Sequence, residues 1–367
     1  MNPIPLVDLQ AAHAEVAEEV REGIDRVLAS GAYIKGPDVA AFEAEYAAYS
    51  GVGHAIGTAN GTDAIEMALR ALELPPGARV VLPANTFVAS AEAVVRAGLR
   101  PVLVDADPEH LLIDPERAGE VAADAYLPVH LNGQLAPVEH VLEIADGRPV
   151  VEDGAQSQGA TRHGRVSGSW GVLAATSFYP GKNLGAYGDA GAVVTDSAGL
   201  AAAVREIGDH GSSRKYVHER FGFNSRMDTV QAVVLRAKLR RLPAWNAARR
   251  AAAARYDALL GELPGVTLPR TLPGNEHVWH LYAVRIAGGG RDEVLAALNA
   301  AGIGAGVHYP VPVHLQPAFA DLGHGEGSFP VAERAARELL SLPLHPHLTE
   351  DQQTYVAETL AKALTRI

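Results

Sequence analysis

Between about residues 55 and 200, short apolar runs alternate with helical patterns, and that alternation leaves few architectures open to this chain. The apolar runs predict strands at Val80–Ala84, Pro101–Asp105, Ala125–His130, Pro149–Asp153, Ala174–Tyr179 and Gly191–Thr195, with helices at Thr62–Leu74 and Ser90–Ala97. The runs lack a clean polar–apolar alternation, as expected of strands covered on both faces. The fold class is therefore α/β, a mostly parallel sheet sandwiched by helices. After residue 226 the pattern changes. A helical stretch holding Val230, Val233, Val234 and Ala237 runs toward Leu260 with a break at Pro243. A strand (Val278–Ile286), a helix (Arg291–Ala301), a Pro-rich stretch and a closing helix (Glu350–Leu364) follow. This predicts a large α/β unit over 1–230 and a smaller α+β unit over 231–367, with an N-terminal helix near Ala11–Ala29 able to pack on either.

The 367 residues are 48% hydrophobic and 20% charged, in the range of a globular enzyme. The absence of cysteine excludes disulfides, thiolate catalysis and Cys-based metal sites. A net charge of −12 argues against nucleic acid or an anionic membrane as partner. The charge is uneven: residues 1–200 carry 12 basic and 27 acidic groups, whereas 205–255 carry 12 basic and 4 acidic. The basic segment is either a solvated helix face or an attraction for an anionic small molecule. No apolar run is long enough to span a bilayer and no basic-then-apolar leader opens the sequence, so a cytoplasmic location is expected.

Lys182 is one of five lysines among 26 arginines, in Ser177-Phe178-Tyr179-Pro180-Gly181-Lys182-Asn183-Leu184-Gly185. Where Arg supplies nearly all cationic charge, a retained Lys suits a role Arg cannot fill, such as a primary amine that loses its proton and attacks a carbonyl. A solvated loop lysine is the plain alternative. Asn60-Gly61-Thr62-Asp63 precedes the first predicted helix, where free amides receive an anion, although the same residue types also serve as ordinary caps. Asp153 ends a predicted buried strand and needs a partner there, either a loop or a protonated ring nitrogen. An amine, an acid for a ring nitrogen and an anion-binding helix start are together what pyridoxal 5'-phosphate requires of a protein.

Four ordered motifs now carry a resemblance: Asn60-Gly61-Thr62-Asp63-Ala64, Pro83-Ala84-Asn85-Thr86-Phe87-Val88-Ala89-Ser90, Glu152-Asp153-Gly154-Ala155-Gln156 and the Ser177–Gly185 stretch. Further matches are Gly36-Pro37 with Phe42-Glu43, Asn224-Ser225-Arg226-Met227-Asp228 and His308-Tyr309-Pro310-Val311-Pro312. Over about residues 5 to 345 the chain resembles the DegT/DnrJ-type sugar aminotransferases, pyridoxal-phosphate enzymes of the aspartate-aminotransferase fold (fold type I).

The resemblance implies that Lys182 forms the Schiff base and shuttles the proton, that Asp153 pairs with the pyridine nitrogen, and that Gln156 meets the ring hydroxyl side. It implies that Phe87 stacks on the ring, that Gly61, Thr62 and Ser177 bind the phosphate, and that Asn224 reaches the phosphate of a neighbouring subunit, making a homodimer. Tyr33, Tyr187, Lys215, His308 and Tyr309 are then wall residues for a sugar nucleotide. Within the family, the Lys182 motif and Val129-His130-Leu131-Asn132-Gly133-Gln134 look most like enzymes that aminate the carbon-3 ketone of a dTDP-linked deoxyhexose with glutamate as donor. Three residues depart from that pattern: Asn132 in place of tyrosine, Gln158 in place of histidine, and Tyr187 in place of a smaller apolar residue. The departures leave the cofactor residues intact and bear on the sugar.

The alternatives are amination at carbon 4 or a metal-dependent nucleotide-sugar glycosyltransferase, whose acid pair would be Asp105 and Asp107. Gly302-Ile303-Gly304-Ala305-Gly306 is a faint dinucleotide fingerprint with prolines where its helix should be. His345-Pro346-His347 reads as a solvated loop before a metal site. A sugar dehydratase of the same fold would lack the Schiff-base lysine, and a sensor on this scaffold would show an added DNA-binding domain or a lost lysine.

Overall fold

A computed structural model describes residues 3–365. Seven strands form its central layer: β1 (His54–Thr58), β2 (Arg79–Pro83), β3 (Arg100–Val104), β4 (Ala125–Tyr126), β5 (Val151–Asp153), β6 (Leu173–Ser177) and β7 (Gly191–Thr195). Parallel pairing joins β3, β2 and β4, and a separate ladder joins β5, β6, β7 and β1. Parallel bridges from Tyr126 to Val150 and from Val129 to Asp153 connect the two halves. The order is therefore β3-β2-β4-β5-β6-β7-β1, with β7 antiparallel to both neighbours. The six strands predicted between residues 80 and 195 lie in this layer, within a few residues of the apolar runs, and the predicted strand Val278–Ile286 falls in a second sheet. β1 is not marked by the apolar pattern, because Gly57 sits inside it. A side chain at Gly57 would come within 2.8 Å of Met227 Cβ.

Helices cover both faces. Gly61–Ala71 and Ala198–Ile207 pack one face with Val80, Leu82, Leu127, Val151 and Val193. Pro37–Ser50 and Thr229–Leu239 pack the other around Phe42, Tyr46, Phe178 and Leu235. Pro243 stands in the first turn of Leu242–Leu260, where its missing N–H costs nothing, so the expected break separates two helices. A second core gathers Tyr256, Tyr282, Val284, Leu298, Leu340 and Leu360 around a small sheet of β8 (Val266–Thr267), β9 (Tyr282–Ile286) and β10 (Leu339–Leu342). The N-terminal segment contributes to the second core and to a small cluster of its own. Ile4 is buried in the second, held by Ile4 N–H to Gly302 O and Gly304 N–H to Ile4 O. The expected N-terminal helix is two helices, Leu9–Ala14 and Ala17–Ser30, and Val16 and Val20 pack on Val234 and Ala237.

The topology disposes of the sequence rivals. Asp105 follows β3 and caps the helix Pro330–Glu338, accepting Val331 N–H and Ala332 N–H at 2.9 Å each. Asp107 accepts the amides of Glu109 and His110 and the His110 ring. Both carboxylates are spent on loop structure. Gly302 and Gly304 pair with Ile4 and start no helix. His347 pairs with Glu15, whose other oxygen accepts Trp245 Nε1–H. No helix among the described residues is long and apolar enough to cross a membrane.

Asp105 is thus a cap supplied from a distant strand. Replacing it with alanine leaves two helix amides without an acceptor. Asp105→Ala should lower stability by about 1–2 kcal/mol, read as a lower denaturation midpoint at unchanged slope.

Candidate active site

The C-terminal ends of β5 and β6 and the loop before Gly61–Ala71 open into one cavity of about 430 Å³. Open α/β sheets place ligands at such strand ends. Leu6, Val7, His308 and Tyr309 close it from the opposite side.

Lys182 stands in a turn that is held from several sides. Its amide donates to Tyr179 O, and Ala186 N–H returns to Phe178 O. Asn183 is buried and donates to Asn246 Oδ1 and Val278 O, while its own Oδ1 lies 3.3 Å from His280 Nδ1. Lys238 donates to Gly185 O at 2.7 Å. Gly185 must be glycine, since a Cβ there would lie 2.3 Å from Pro180 O. Burial pushes the Lys182 ammonium down to about 8, and the charge of Asp153 works against that fall. Burial, with the charge of Lys182 second, also holds His280 well below and His308 below the usual imidazole range.

Asp153 is buried at the end of β5. Its Oδ2 accepts Ser90 Oγ–H at 2.7 Å and its Oδ1 accepts Ala155 N–H at 3.1 Å. Glu152 points the other way, into a fully buried cluster. It accepts the amides of Gly168, Trp170 and Gly171 and the Nε2–H of His130, whose Nδ1 takes Ala136 N–H. Burial alone would raise the Glu152 carboxyl, but the His130 contact and the Gly171 and Gly168 amides hold it below its ordinary value. Gln156 accepts Asn132 N–H at 2.7 Å and donates to Tyr309 Oη at 3.2 Å. The rings of Phe87 and Tyr309 face each other with centroids 5.1 Å apart.

The helix Gly61–Ala71 aims its first turn into the cavity. Asn60 caps it by accepting Asp63 N–H at 2.8 Å, so the capping reading of that motif is right for Asn60. The amides of Gly61 and Thr62 have no protein acceptor among the described residues, so the anion reading remains open to them. A Cβ on Gly61 would lie 2.5 Å from Ser177 Cβ, which means only glycine lets the helix start approach β6 this closely.

Gly61, Thr62, Phe87, Asp153, Gln156, Ser177, Lys182, His308 and Tyr309 all line the one cavity. Four other predicted residues do not. Tyr33 and Asn224 are exposed outside it. Lys215 is exposed in the turn between Ser212–Arg214 and Val217–His218, with its Nζ 5.1 Å from the Tyr216 ring. Tyr187 bonds His13 Nδ1 through its hydroxyl and lies under Lys238 Nζ at 4.6 Å. Sequence reasoning assigned no role to Thr86, Ser90, Asp189 and His280, which line the cavity. Thr86 and Ser90 stood inside a recognised motif; the other two carried no signal.

Two of the three departures find local reasons. Asn132 has φ +59°, a region asparagine enters more readily than tyrosine. Gln158 donates to Thr176 Oγ1 and Ser177 O, fixing the end of β6 behind Ser177.

The family model described as the DegT/DnrJ/EryC1/StrS aminotransferase family matches residues 14–361. The chain belongs to that family. It is 46% identical to the dTDP-3-amino-3,4,6-trideoxy-alpha-D-glucose transaminase of Streptomyces venezuelae, over 99% of this chain and 97% of that protein. The fold matches S. venezuelae DesV, solved in complex with a ketimine intermediate, at a TM-score of 0.96 and 45% identity, with both chains covered in full. It also matches NtdA from Bacillus subtilis with bound cofactor PMP, at a TM-score of 0.92 and 32% identity over 100% of this chain and 86% of that one. The protein is an aminotransferase of the pyridoxal-phosphate type. Its own residues fit that cofactor: a cavity-lining amine, a buried carboxylate, two helix-start amides without acceptors, and a glycine where a methyl group would collide.

In the cofactor-free protein the lowered ammonium of Lys182 is charged below about pH 8 and neutral above it. Acylation of Lys182 by an amine-directed reagent, followed by peptide mass spectrometry, should therefore climb through that pH, below the range of an ordinary lysine near 10.4.

Proposed function

We propose that the protein moves an amino group from glutamate to the carbon-3 ketone of a dTDP-linked deoxyhexose, in the biosynthesis of an amino sugar. The observation that carries this reading is the convergence of Lys182, Asp153 and the free amides of Gly61 and Thr62 on one cavity. The choice of sugar rests on the likeness to the S. venezuelae transaminase.

When bound, pyridoxal phosphate supplies an electron sink that lets a neighbouring carbon give up its proton. The protein's part is placement and proton handling. Lys182 Nζ carries the cofactor and later moves the proton between two carbons, a task suited to an amine that titrates near 8 rather than 10. Asp153 keeps the ring nitrogen charged. Gly61, Thr62 and Ser177 take the phosphate, Gln156 the ring hydroxyl side, and Phe87 one ring face. His308 and Tyr309 wall the sugar, and the neutral imidazole of His308 can either give or accept a hydrogen bond there. Asn224, which lies outside the cavity of its own chain, is given by the family resemblance the task of meeting the phosphate of a second copy in a homodimer. Tyr33, Tyr187 and Lys215 meet the sugar nucleotide only if that second copy brings them to its cavity.

Lys182→Ala should abolish turnover and the visible absorbance of the bound cofactor. Asp153→Asn should keep the fold and lose at least about 100-fold in rate. Incubation with cofactor, glutamate and a panel of nucleotide keto sugars, read by mass and NMR, should yield a 3-amino product; amination only at another carbon overturns that assignment. Mixing Lys182→Ala with Asn224→Ala subunits should restore activity that neither has alone, because one site in a mixed dimer is then whole. Absence of any recovery in demonstrated mixed dimers would remove the shared-site reading.

A further inference from the structure

Thr86 and Ser90 stand behind the acid of the cavity, and the mechanism above gives them nothing to do. Both are nearly closed off from solvent, at 3% and 1% exposure, and Asp153 is at 4%. Ser90 lies in the first turn of the helix Val88–Arg96, and its Oγ is 2.7 Å from Asp153 Oδ2. Thr86 Oγ1 is 2.8 Å from Ser90 Oγ. The direction of these contacts follows from counting hydrogens. An ionised carboxylate only accepts, so Ser90 must donate to Asp153. A serine has one hydroxyl hydrogen, and it is now spent. Thr86 must therefore be the donor in its contact with Ser90. The chain runs one way, Thr86 to Ser90 to Asp153.

Such a chain has two effects. It stabilises the charged form of the carboxylate, because a hydrogen bond donated to an ionised acceptor favours that form. Successive donors also polarise one another, so Thr86 strengthens the bond Ser90 makes. The second effect is aim. Asp153 Oδ1 is fixed by Ala155 N–H and Oδ2 by Ser90, so the carboxylate cannot rotate about its Cβ–Cγ bond without losing a donor. The carboxylate's remaining accepting capacity is left for a group in the cavity that all three residues line.

We propose that Ser90, with Thr86 behind it, is a positioning residue for the amino-transfer reaction, holding the Asp153 carboxylate charged and aimed at the ring nitrogen of the cofactor. This rests on the ring-nitrogen role proposed for Asp153. A carboxylate that loses the Ser90 donor competes better for the ring proton, and the electron sink weakens. The step that suffers is proton removal from the amino donor, not donor binding.

The test compares wild type, Ser90→Ala, Ser90→Thr, Thr86→Val and Asp153→Asn. Two readouts are used: the apoprotein's dissociation constant for pyridoxal phosphate, and the single-turnover half-reaction with ordinary and α-deuterated glutamate. For Ser90→Ala we expect the half-reaction to slow about tenfold, as for loss of one hydrogen bond to a charged group. The deuterium isotope effect should rise, half-saturation by glutamate should stay near the wild-type value, and the cofactor should bind more weakly. Ser90→Thr should recover both readouts, and Thr86→Val should show the same changes in smaller measure. Thr86→Val also carries the test if the Ser90 variants fail to fold. Wild-type rate and isotope effect in Ser90→Ala overturn the proposal, as does a defect that threonine does not repair. Asp153→Asn separates the layers. If it is severely slowed while Ser90→Ala is not, the relay alone fails; if Asp153→Asn is itself near normal, the ring-nitrogen role fails and the relay with it.

Discussion

Burial drives the Lys182 ammonium toward its neutral form, and the Asp153 carboxylate in the same cavity resists. The rest of the site depends on this opposition. Too little burial would leave an ammonium that cannot attack a carbonyl, and an amine without the acid nearby would meet a cofactor with no counterion for its ring nitrogen. The sheet sets the pair. β5 ends in Asp153, β6 runs beside it in parallel register with Asp153 opposite Ala175, and the Lys182 turn follows β6 directly. Because the two strands point the same way, acid and amine emerge at the same edge.

The neighbouring Glu152 shows how that edge is kept rigid. Adjacent residues on a strand face opposite sides. While Asp153 looks into the cavity, Glu152 looks into protein, where three amides and His130 saturate it. A buried carboxylate so fully supplied with donors ties the loop of residues 168–171 and the His130 segment to β5. His130 N–H donates to Asp153 O, and two residues on, the Asn132 amide holds Gln156. The apolar layers carry most of the stability of the sheet, and this polar cluster fixes where its catalytic edge lies.

Much of this was legible in the sequence, for a physical reason. Strands covered on both faces must be apolar runs, and the turns that follow them must hold Gly, Asn and Asp, so the strand ends could be read. Lys182, Asp153 and Gly61 each carry their signal locally. What stayed hidden depends on contacts between distant segments. Ser90 meets Asp153 across 63 positions, and Asp105 caps a helix 226 positions away, so neither the buried donor nor the helix Pro330–Glu338 is marked in its own stretch. Tyr33, Tyr187 and Lys215 carried only residue type, and type does not say which way a loop faces.

Part of the cavity wall is assembled from two segments far apart in sequence. Leu6 and Val7 follow Ile4, which is stitched to Gly302 and Gly304. His308 is tied through Nδ1 to Ser341 Oγ, and the Gly306 and Ser341 backbones pair. Leu6, Val7 and His308 thus hang from the small sheet and its core, while Tyr309 is held across the cavity by Gln156 Nε2–H and packs on the Phe87 ring. Tyr309 is therefore a clasp: a side chain carried by the segment that follows His308 and fastened to Gln156, three residues beyond the acid, so the mouth of the cavity is drawn together by a bond between the two bodies of side chains that line it.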